Sequence, residues 1–178
     1  PVSAFGGIVA CNYKITKKLA MQLSKIFFEV IISNGFEKKA LKILKKNKNI
    51  RLIDSTNLDI LLSDNYISNF NSLLVQSPDL IKFKSKNFKI VSKKKPSSKQ
   101  LNDLIFAFDV CKHVKSNAIV IANDKSTLGI GSGQPSRLDS CKIAIEKMYK
   151  FKPNSYENSV AASDAFFPFV DGFEKLVQ

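Results

Sequence analysis

The stretch KSNAIVIANDKSTLGIGSGQPSR, residues 115–137, constrains the fold of this chain more than any other. It predicts a strand, a tight turn, a glycine-rich strand and then the start of a helix. Glycine weakens a strand unless something must approach its backbone closely. Gly129, Gly131 and Gly133 therefore indicate that a bound molecule, or another piece of backbone, lies against this hairpin.

The GIGSG run inside this hairpin does not match the known nucleotide-binding motifs. Its third glycine comes too early for a dinucleotide fingerprint, and no acidic residue follows at the usual distance. No Gly-Lys-Ser/Thr follows it either, which excludes a P-loop. A purely structural alternative stays open, in which the glycine hairpin packs under a neighbouring helix.

Strand-like and helix-like segments alternate along the chain. The runs FGGIVAC, VIIS, IRLID and LLVQ predict strands. Apolar residues at helical spacing predict a helix over 16–29 capped by Thr16, and a second helix around 40–44. Ser97 with Gln100 forms a capping-box pattern at the start of a third helix. This alternation predicts an α/β fold, with the charged connector 93–96 as the best subdomain boundary.

The net charge of +13 suggests nucleic acid, but the composition argues against it. Of the 28 basic residues only Arg51 and Arg137 are arginine, whereas base and phosphate recognition favours the planar arginine fork. The three cysteines form no CxxC pair and, with one histidine, make a poor zinc set. No apolar run approaches the length of a membrane span, and no secretory signal opens the sequence. We therefore predict a cytoplasmic protein that has free thiols, binds no metal and does not associate with a membrane.

Two further stretches are candidates for chemistry. His113 follows Lys112, and a lysine–histidine pair can perform acid–base catalysis. The end of an amphipathic helix is also a favourable place for positive charge, and we favour that interpretation of His113.

The run SDAFFPF, residues 163–169, suits neither a regular helix nor a central strand. Such an aromatic loop either fills a core or offers a flat wall to a planar ligand.

Three of these motifs together resemble one family. SAFGGIVA, then KSNAIV with GIGSGQPSR, then SDAFFPF occur in this order in the formyltransferase (transformylase) domain of the bifunctional purine biosynthesis proteins. Those proteins combine 5-aminoimidazole-4-carboxamide ribonucleotide (AICAR) formyltransferase with inosine monophosphate (IMP) cyclohydrolase. The resemblance covers residues 1–178 and implies a layered αβα fold with cytidine-deaminase-like lobes. It also implies a cytoplasmic homodimer in the parent protein, with no nucleic acid and no membrane as partner.

The resemblance also implies site residues. The positions that correspond to the AICAR-binding residues of the family are Phe5, Gly6, Glu29, Asn117 and Arg137. The folate-facing positions, which would contact the co-substrate 10-formyltetrahydrofolate, are Leu138, Phe166, Pro168 and Phe169. An amide and a guanidinium suit a carboxamide, a carboxylate suits ribose hydroxyls, and aromatic rings can flank a pterin. We expect Arg137 to be an exposed pocket residue that contributes little to the core.

The catalytic groups of the family fall outside this sequence. Its lysine–histidine pair belongs to a Lys-His-x-x-Pro-Cys-Gly-type motif upstream of SAFGG, so Lys112 and His113 are not that pair. The cyclohydrolase domain and the C-terminal tail of the family are also absent from the sequence. We therefore expect the substrate-binding part of a formyltransferase, inactive alone. The alternatives are a non-catalytic AICAR-binding or assembly remnant, and a basic nucleic-acid-binding protein.

Overall fold

The computed structural model of the chain describes residues 5–58 and 63–177, so the first two residues of SAFGG lie outside the described residues. The chain divides into two compact units, Pro1–Pro78 and Asp79–Gln178. The connector 93–96 lies within the second unit, just ahead of its first α-helix. Both units contain helices and strands, which confirms the α/β class.

The first unit contains a three-stranded parallel sheet. Its strands are β1 (Gly7–Cys11), β2 (Phe28–Ser33) and β3 (Arg51–Asp54), in the order β1-β2-β3. Parallel strands need crossover connections, and the helices α1 (Lys17–Leu23) and α2 (Lys38–Leu44) supply them. The predicted strands FGGIVAC, VIIS and IRLID are therefore confirmed.

The first helix is shorter than its apolar spacing predicts. The Oγ1 of Thr16 accepts the Leu19 N–H at 3.3 Å, which confirms the N-cap, but α1 ends at Leu23. The prediction of a helix over 16–29 is thus wrong in its second half. Four of the six residues of β2 are apolar and three of these are β-branched, and β2 pairs with a strand on each side. Sheet pairing therefore outweighs the helical spacing here.

One face of this sheet forms the core of the first unit, and the other is open. The fully or almost fully buried apolar residues are Ile15, Ala20, Ile31, Ala40 and Leu44. They join α1, α2 and the central strand into one cluster. On the opposite face Ile8 is 74% exposed and Ile53 is 40% exposed. Both helices consequently cover a single side of the sheet.

A separate antiparallel hairpin completes the first unit. It consists of β4 (Asn65–Asn69) and β5 (Ser72–Gln76), and β5 confirms the predicted LLVQ strand. Tyr66 pairs with Val75, and the next pair along, Ile67 with Leu74, points to the opposite face. All residues of both strands are exposed, so this hairpin presents apolar side chains on both of its faces.

The second unit is built on a three-stranded antiparallel sheet of order β7-β6-β8. Its elements are α3 (Ser98–Cys111), β6 (Ile119–Asn123), β7 (Ser126–Gly131), α4 (Arg137–Phe151), β8 (Val160–Ser163) and α5 (Val170–Val177). The strand–turn–strand–helix predicted for 115–137 is therefore confirmed. Among residues 5–58 and 63–177, none of the helices combines the length and hydrophobicity that crossing a membrane requires.

Alternate residues of β6 face two different helical layers. Val120 and Ala122 pack with buried residues of α3 in one cluster. Ile119 and Ile121 pack with buried residues of α4, including Ala144, in another. Since successive strand residues point to opposite faces, α3 and α4 lie on opposite sides of the sheet. The second unit therefore has helix, sheet and helix layers.

The start of α3 has the predicted capping box. The Ser97 hydroxyl accepts the Gln100 N–H at 3.2 Å, and the Gln100 side chain accepts the Ser97 N–H at 3.0 Å. Each bond satisfies a backbone donor that the first turn of a helix leaves without a partner. This local pattern fixes the start of the helix that covers one face of the sheet.

A buried carboxylate on α3 holds the turn between β6 and β7. Asp103 accepts the N–H groups of Asp124 at 3.2 Å and Lys125 at 2.8 Å, and both of these residues have positive φ. Burial raises the pKa of the Asp103 carboxyl, but these N–H groups and Lys99 lower it more, so it stays below its ordinary value. The ionised side chain therefore stabilises the hairpin.

Candidate substrate-binding site

Two of the three glycines in the hairpin allow α4 to approach the sheet. A Cβ on Gly129 would lie 1.9 Å from the Ala144 carbonyl oxygen, and one on Gly131 would lie 1.9 Å from the Ser140 carbonyl oxygen. Contacts this short are not tolerated, so only glycine permits this helix–sheet distance. Of the two explanations for these glycines, close approach by a neighbouring helix is confirmed at these two positions.

The third glycine has a different role. Gly133 has φ of +67°, and its N–H donates to the Lys115 carbonyl oxygen at 2.8 Å. A Cβ there would meet only the Lys115 side chain, at 3.8 Å. The glycine is thus required by the backbone conformation, which turns the chain from β7 towards the first turn of α4.

Asn117 anchors the loop that leads into α4. Its side-chain Nδ2 donates to the carbonyl oxygens of Gln134 at 2.8 Å and Pro135 at 3.0 Å. The backbone carbonyl oxygen of Asn117 accepts a hydrogen bond from the Ser140 hydroxyl at 2.7 Å. Since both N–H bonds of the amide point to the protein, the Asn117 side chain can contact a ligand only through its oxygen, as a hydrogen-bond acceptor.

Arg137, the first residue of α4, is held by the end of β8. Its Nη1 donates to the Ser163 hydroxyl at 3.0 Å and to the Asp164 carboxylate. The side chains of Arg137 and Asp164 are only 12% and 18% exposed. The prediction of an exposed arginine is therefore wrong, because the guanidinium forms a largely buried ion pair.

The Asp164 carboxylate, which is only 18% exposed, is ionised. Burial raises the pKa of its carboxyl, whereas hydrogen bonds from the Ser116 side chain, the Ala118 N–H and Arg137 lower it, and the lowering prevails. Its Oδ1 accepts the Ala118 N–H at 3.0 Å. Asp164 thus joins the end of β8, the start of β6 and the first turn of α4 at one point.

The aromatic loop 164–169 divides between the core and the surface. Phe167 packs with the buried cluster beneath α4, and its ring lies 6.3 Å from that of Phe173. Phe166 and Phe169 are 79% and 74% exposed. Phe167 thus fills the core, whereas Phe166 and Phe169 are free to form an aromatic wall at the surface.

These features surround one cavity of about 350 Å³ in the second unit. It brings together all six of the predicted site residues that belong to this unit: Asn117, Arg137, Leu138, Phe166, Pro168 and Phe169. The charged residues that line it are Arg137 and Asp171. The cavity therefore combines polar or charged side chains with apolar and aromatic ones.

The three remaining predicted residues lie together in the first unit. Gly6 has φ of +68°, its N–H donates to the Phe27 carbonyl oxygen at 3.1 Å, and a Cβ on it would lie 2.9 Å from Glu29 Oε1. The Phe5 ring lies 5.0 Å from that of Phe27. Glu29 is a residue of β2 with a half-exposed carboxylate, 3.9 Å from the Arg51 guanidinium. Gly6 thus brings the backbone directly against this carboxylate.

Lys112 and His113 lie at the end of α3 and do not line the cavity of the second unit. Lys112 is the C-cap, and its Nζ donates to the Ile81 carbonyl oxygen at 3.1 Å. His113 follows it and is exposed. Positive side chains at a helix C-terminus interact favourably with the helix dipole, which accounts for both residues without a catalytic role.

The three cysteines are free thiols. Cys111 and Cys141 are buried in the two clusters on either side of the second sheet, and Cys11 is half-buried. Burial raises the pKa of the Cys111 thiol to about 11. A thiol of such high pKa is a poor nucleophile and a poor metal ligand at neutral pH.

A larger cleft of about 590 Å³ lies between α3, β8 and the segment 88–96. Apolar residues of α3, among them Leu101 and Phe108, form one wall, and Lys89, Lys94 and Lys95 lie along it. It contains none of the predicted site residues. We therefore assign the candidate site to the smaller cavity.

Sequence reasoning missed the groups that position the site. Asp164 is in the quoted SDAFFPF motif, but nothing in its spacing indicates that it pairs with Arg137, 27 residues earlier. No motif marks Ser140, whereas it is buried and its hydroxyl donates to the Asn117 backbone carbonyl oxygen. A polar residue directly before an apolar loop was the one available signal for Asp164.

Comparison with known proteins assigns the chain to a family. The family model described as AICARFT/IMPCHase bienzyme matches residues 1–147. The relatives named bifunctional purine biosynthesis protein PurH from Ligilactobacillus salivarius and Thermoanaerobacter sp. are 45% and 44% identical to it. These alignments cover 96% and 100% of this chain but 33% and 34% of the relatives. The chain thus spans about a third of the length of these relatives, and it belongs to the AICARFT/IMPCHase bienzyme family.

Proposed function

We propose that this chain is the substrate-binding part of an AICAR formyltransferase in purine biosynthesis. The reaction transfers a formyl group from 10-formyltetrahydrofolate to the 5-amino group of AICAR. Family membership supports this proposal, as does the name of the relatives, bifunctional purine biosynthesis protein. The observation that carries it is the cavity of the second unit, which gathers six predicted substrate-contacting residues from distant positions in the sequence.

The polar side chains of Asn117 and Arg137 that line the cavity suit a carboxamide. Asn117 offers only an amide oxygen, since its Nδ2 is bound to two backbone carbonyls. Among described residues, the protein partners of the Arg137 guanidinium bind its Nη1, which leaves Nε and Nη2 for a ligand. A carboxamide has one acceptor and one donor group, so its oxygen would face Arg137 and its nitrogen Asn117.

The apolar part of the cavity suits a planar co-substrate. Phe166, Pro168 and Phe169 line the cavity, as does Leu138 in the first turn of α4. Aromatic and proline rings can flank a pterin at little cost in conformational entropy. In the first unit, the exposed Glu29 carboxylate would accept hydrogen bonds from ribose hydroxyls, beside Phe5 and Gly6.

The chemistry is acyl transfer. The 5-amino nitrogen of AICAR forms a bond to the formyl carbon, and the bond from that carbon to N10 of the folate breaks. The amine loses a proton and N10 gains one. The amine is a weak nucleophile because its lone pair is delocalised into the ring, so a general base is required. The lysine–histidine pair of the family would supply it, and the residues described here would hold and orient the two substrates.

The finer architecture forms part of the proposal. The order β7-β6-β8, with α3 on one face and α4 on the other, agrees with a cytidine-deaminase-like lobe of layered αβα type. By the same family resemblance, the complete protein would be a cytoplasmic homodimer that also carries IMP cyclohydrolase. Crystallography of the complete protein tests the layering and the dimer together.

Calorimetric titration of AICAR tests the proposed ligand. In the complete protein, Arg137→Lys keeps the charge but loses the two-pronged geometry, so affinity should fall about ten- to a hundredfold. Lys142→Arg, at an exposed position of the same helix, is the matched control and should leave affinity unchanged. Equal affinity in wild type and Arg137→Lys would contradict the assignment of Arg137 to the ligand.

An activity assay tests the division of roles. The 178-residue chain alone should form no formyl-AICAR at a useful rate, because a missing general acid–base group costs about 10²–10⁴-fold. The release of tetrahydrofolate, followed by absorbance, measures this. Substantial transfer by the chain alone would show that its own residues supply the base. A complete protein that binds AICAR yet never transfers formyl would favour the non-catalytic alternative.

A further inference from the structure

We propose that Asp164 determines which chemical group the cavity accepts, by fixing Arg137 in place and cancelling its charge. The cavity then takes the uncharged carboxamide of AICAR and discriminates against a carboxylate at the same position of the ring. This inference rests on the proposed function, because it concerns the ligand group that faces Arg137.

The position of Asp164 does not depend on the arginine. Its backbone N–H donates to the Ala118 carbonyl oxygen at 3.3 Å, and its Oδ1 accepts the Ala118 N–H at 3.0 Å. This reciprocal pair ties Asp164 to the start of β6. The carboxylate is therefore a fixed anchor, and the Arg137 side chain is the partner that it orients.

The charges around the cavity favour a neutral ligand group. A largely buried guanidinium without a partner would attract any anion strongly, because its charge is poorly solvated. Here the ionised Asp164 carboxylate contacts it directly, so the pair has no net charge. The other charged residue lining the cavity is Asp171. Among the described residues that line the cavity, the one positive charge is thus already paired, so nothing there offsets the charge of a carboxylate ligand.

The ion pair does not remove the hydrogen-bonding capacity of the arginine. A guanidinium has five N–H donors in a planar fork, and Asp164 and Ser163 both bind its Nη1. The fork therefore stays oriented by Asp164 while its other donors can bind a carbonyl oxygen. Rejection of a wrong ligand by an uncompensated charge is a common source of specificity.

The test compares two ligands that differ in one group. AICAR and the analogue in which a carboxylate replaces the 4-carboxamide are titrated calorimetrically into the complete protein. We expect wild type to prefer AICAR. Asp164→Asn should shift the affinity ratio towards the carboxylate by about tenfold or more, equivalent to about 1.4 kcal/mol. Asp139→Asn, which changes a half-exposed carboxylate in the same turn of α4 as Arg137, should leave the ratio unchanged.

The ratio separates specificity from stability. If Asp164 only supports the fold, Asp164→Asn lowers both affinities equally and the unchanged ratio overturns the inference. The double variant Arg137→Gln/Asp164→Asn removes both charges and should return the ratio of the affinities for AICAR and its carboxylate analogue towards the wild-type value. If the double variant keeps the ratio of Asp164→Asn, the inference is also overturned. If Asp164→Asn does not fold, the uncharged Asp164→Ser makes the same comparison.

The proposed function and this inference fail in different ways. Absence of AICAR binding by the wild-type protein would overturn the proposed function, and the inference with it. AICAR binding by wild type together with an unaltered ratio in Asp164→Asn would overturn only the role of Asp164.

Discussion

Replacing Gly131 by alanine should destabilise the second unit strongly. The new Cβ would lie 1.9 Å from the Ser140 carbonyl oxygen and 2.6 Å from its carbon, both in the backbone of α4. Ordinary contact begins at 3.4 Å, so these atoms must move apart by about 1.5 Å. A helix backbone cannot yield as a flexible side chain does, and overpacking of this kind costs about 3 kcal/mol.

Thermal and urea unfolding of the chain measure this cost. A loss of about 3 kcal/mol in a unit of this size lowers Tm by more than about 10 °C. Gly133→Ala is the matched control in the same loop region: it meets no close backbone atom and bears only the strain of positive φ, about 1–2 kcal/mol. Gly7→Ala, where the nearest atom is a phenyl carbon at 3.4 Å, should change Tm little.

The relative order of the three variants is the critical result. If Gly131→Ala has the same Tm as wild type but no longer binds AICAR, the glycine provides space for a ligand and the helix-packing argument is refuted. If Gly133→Ala is the most destabilised of the three, backbone strain outweighs the helix–sheet contact. Urea unfolding with an unchanged m-value would confirm that the change lies in the folded state.

Three other predictions concern single groups. Asp103→Asn should lower Tm near neutral pH and should make the loss of stability below about pH 4 less steep. A carboxyl whose pKa is lowered by folding stabilises the folded state above its unfolded pKa, and this contribution is lost as the carboxyl is protonated. Thermal melts from pH 3 to 7, with Asp139→Asn as the control, test this. With a pKa of about 11, only about one Cys111 thiol in a thousand is ionised at pH 8, so iodoacetamide should label this thiol only after unfolding. Mass spectrometry measures the labelling, and fast labelling in the native chain would contradict the burial of Cys111. Asn117→Asp cannot donate to the two loop carbonyls and should cost about 1–3 kcal/mol in urea unfolding, whereas Asn102→Asp, at an exposed position, should cost less than about 0.5 kcal/mol.

Local signals made part of this fold predictable. The capping box at Ser97 and Gln100 depends on residues three positions apart, and both of its hydrogen bonds are present. The hairpin of β6 and β7 likewise follows from a short turn between two strands. In both cases the determining contacts lie close together in the sequence, so spacing and residue type were sufficient.

Contacts between distant residues could not be read in the same way. The helix predicted over 16–29 ends early because β2 pairs with strands on both sides, which spacing along one segment cannot reveal. Glycine indicated a close approach at Gly129 and Gly131 but did not indicate whether a helix or a ligand approaches. The bond between Ala118 and Asp164 joins residues 46 positions apart, and no local pattern marks it.

The candidate site was predictable only where a motif carried it. Family resemblance nominated the six residues that the second-unit cavity brings together. It did not indicate that the Arg137 guanidinium is buried against a carboxylate, because burial depends on how β8 and α4 pack. The roles of these residues towards AICAR and folate stay predictions.

The hairpin of β4 and β5 has a consequence for how this chain behaves in concentrated solution. Both of its faces carry exposed apolar side chains, and a two-stranded ribbon of this kind offers backbone edges to which other chains can add. The net charge of +13 opposes such self-association by mutual repulsion between molecules. Salt shortens the range of that repulsion to about 8 Å at physiological ionic strength. The lysine excess thus acts as a colloidal stabiliser, and the solubility of the isolated chain should fall as salt is added.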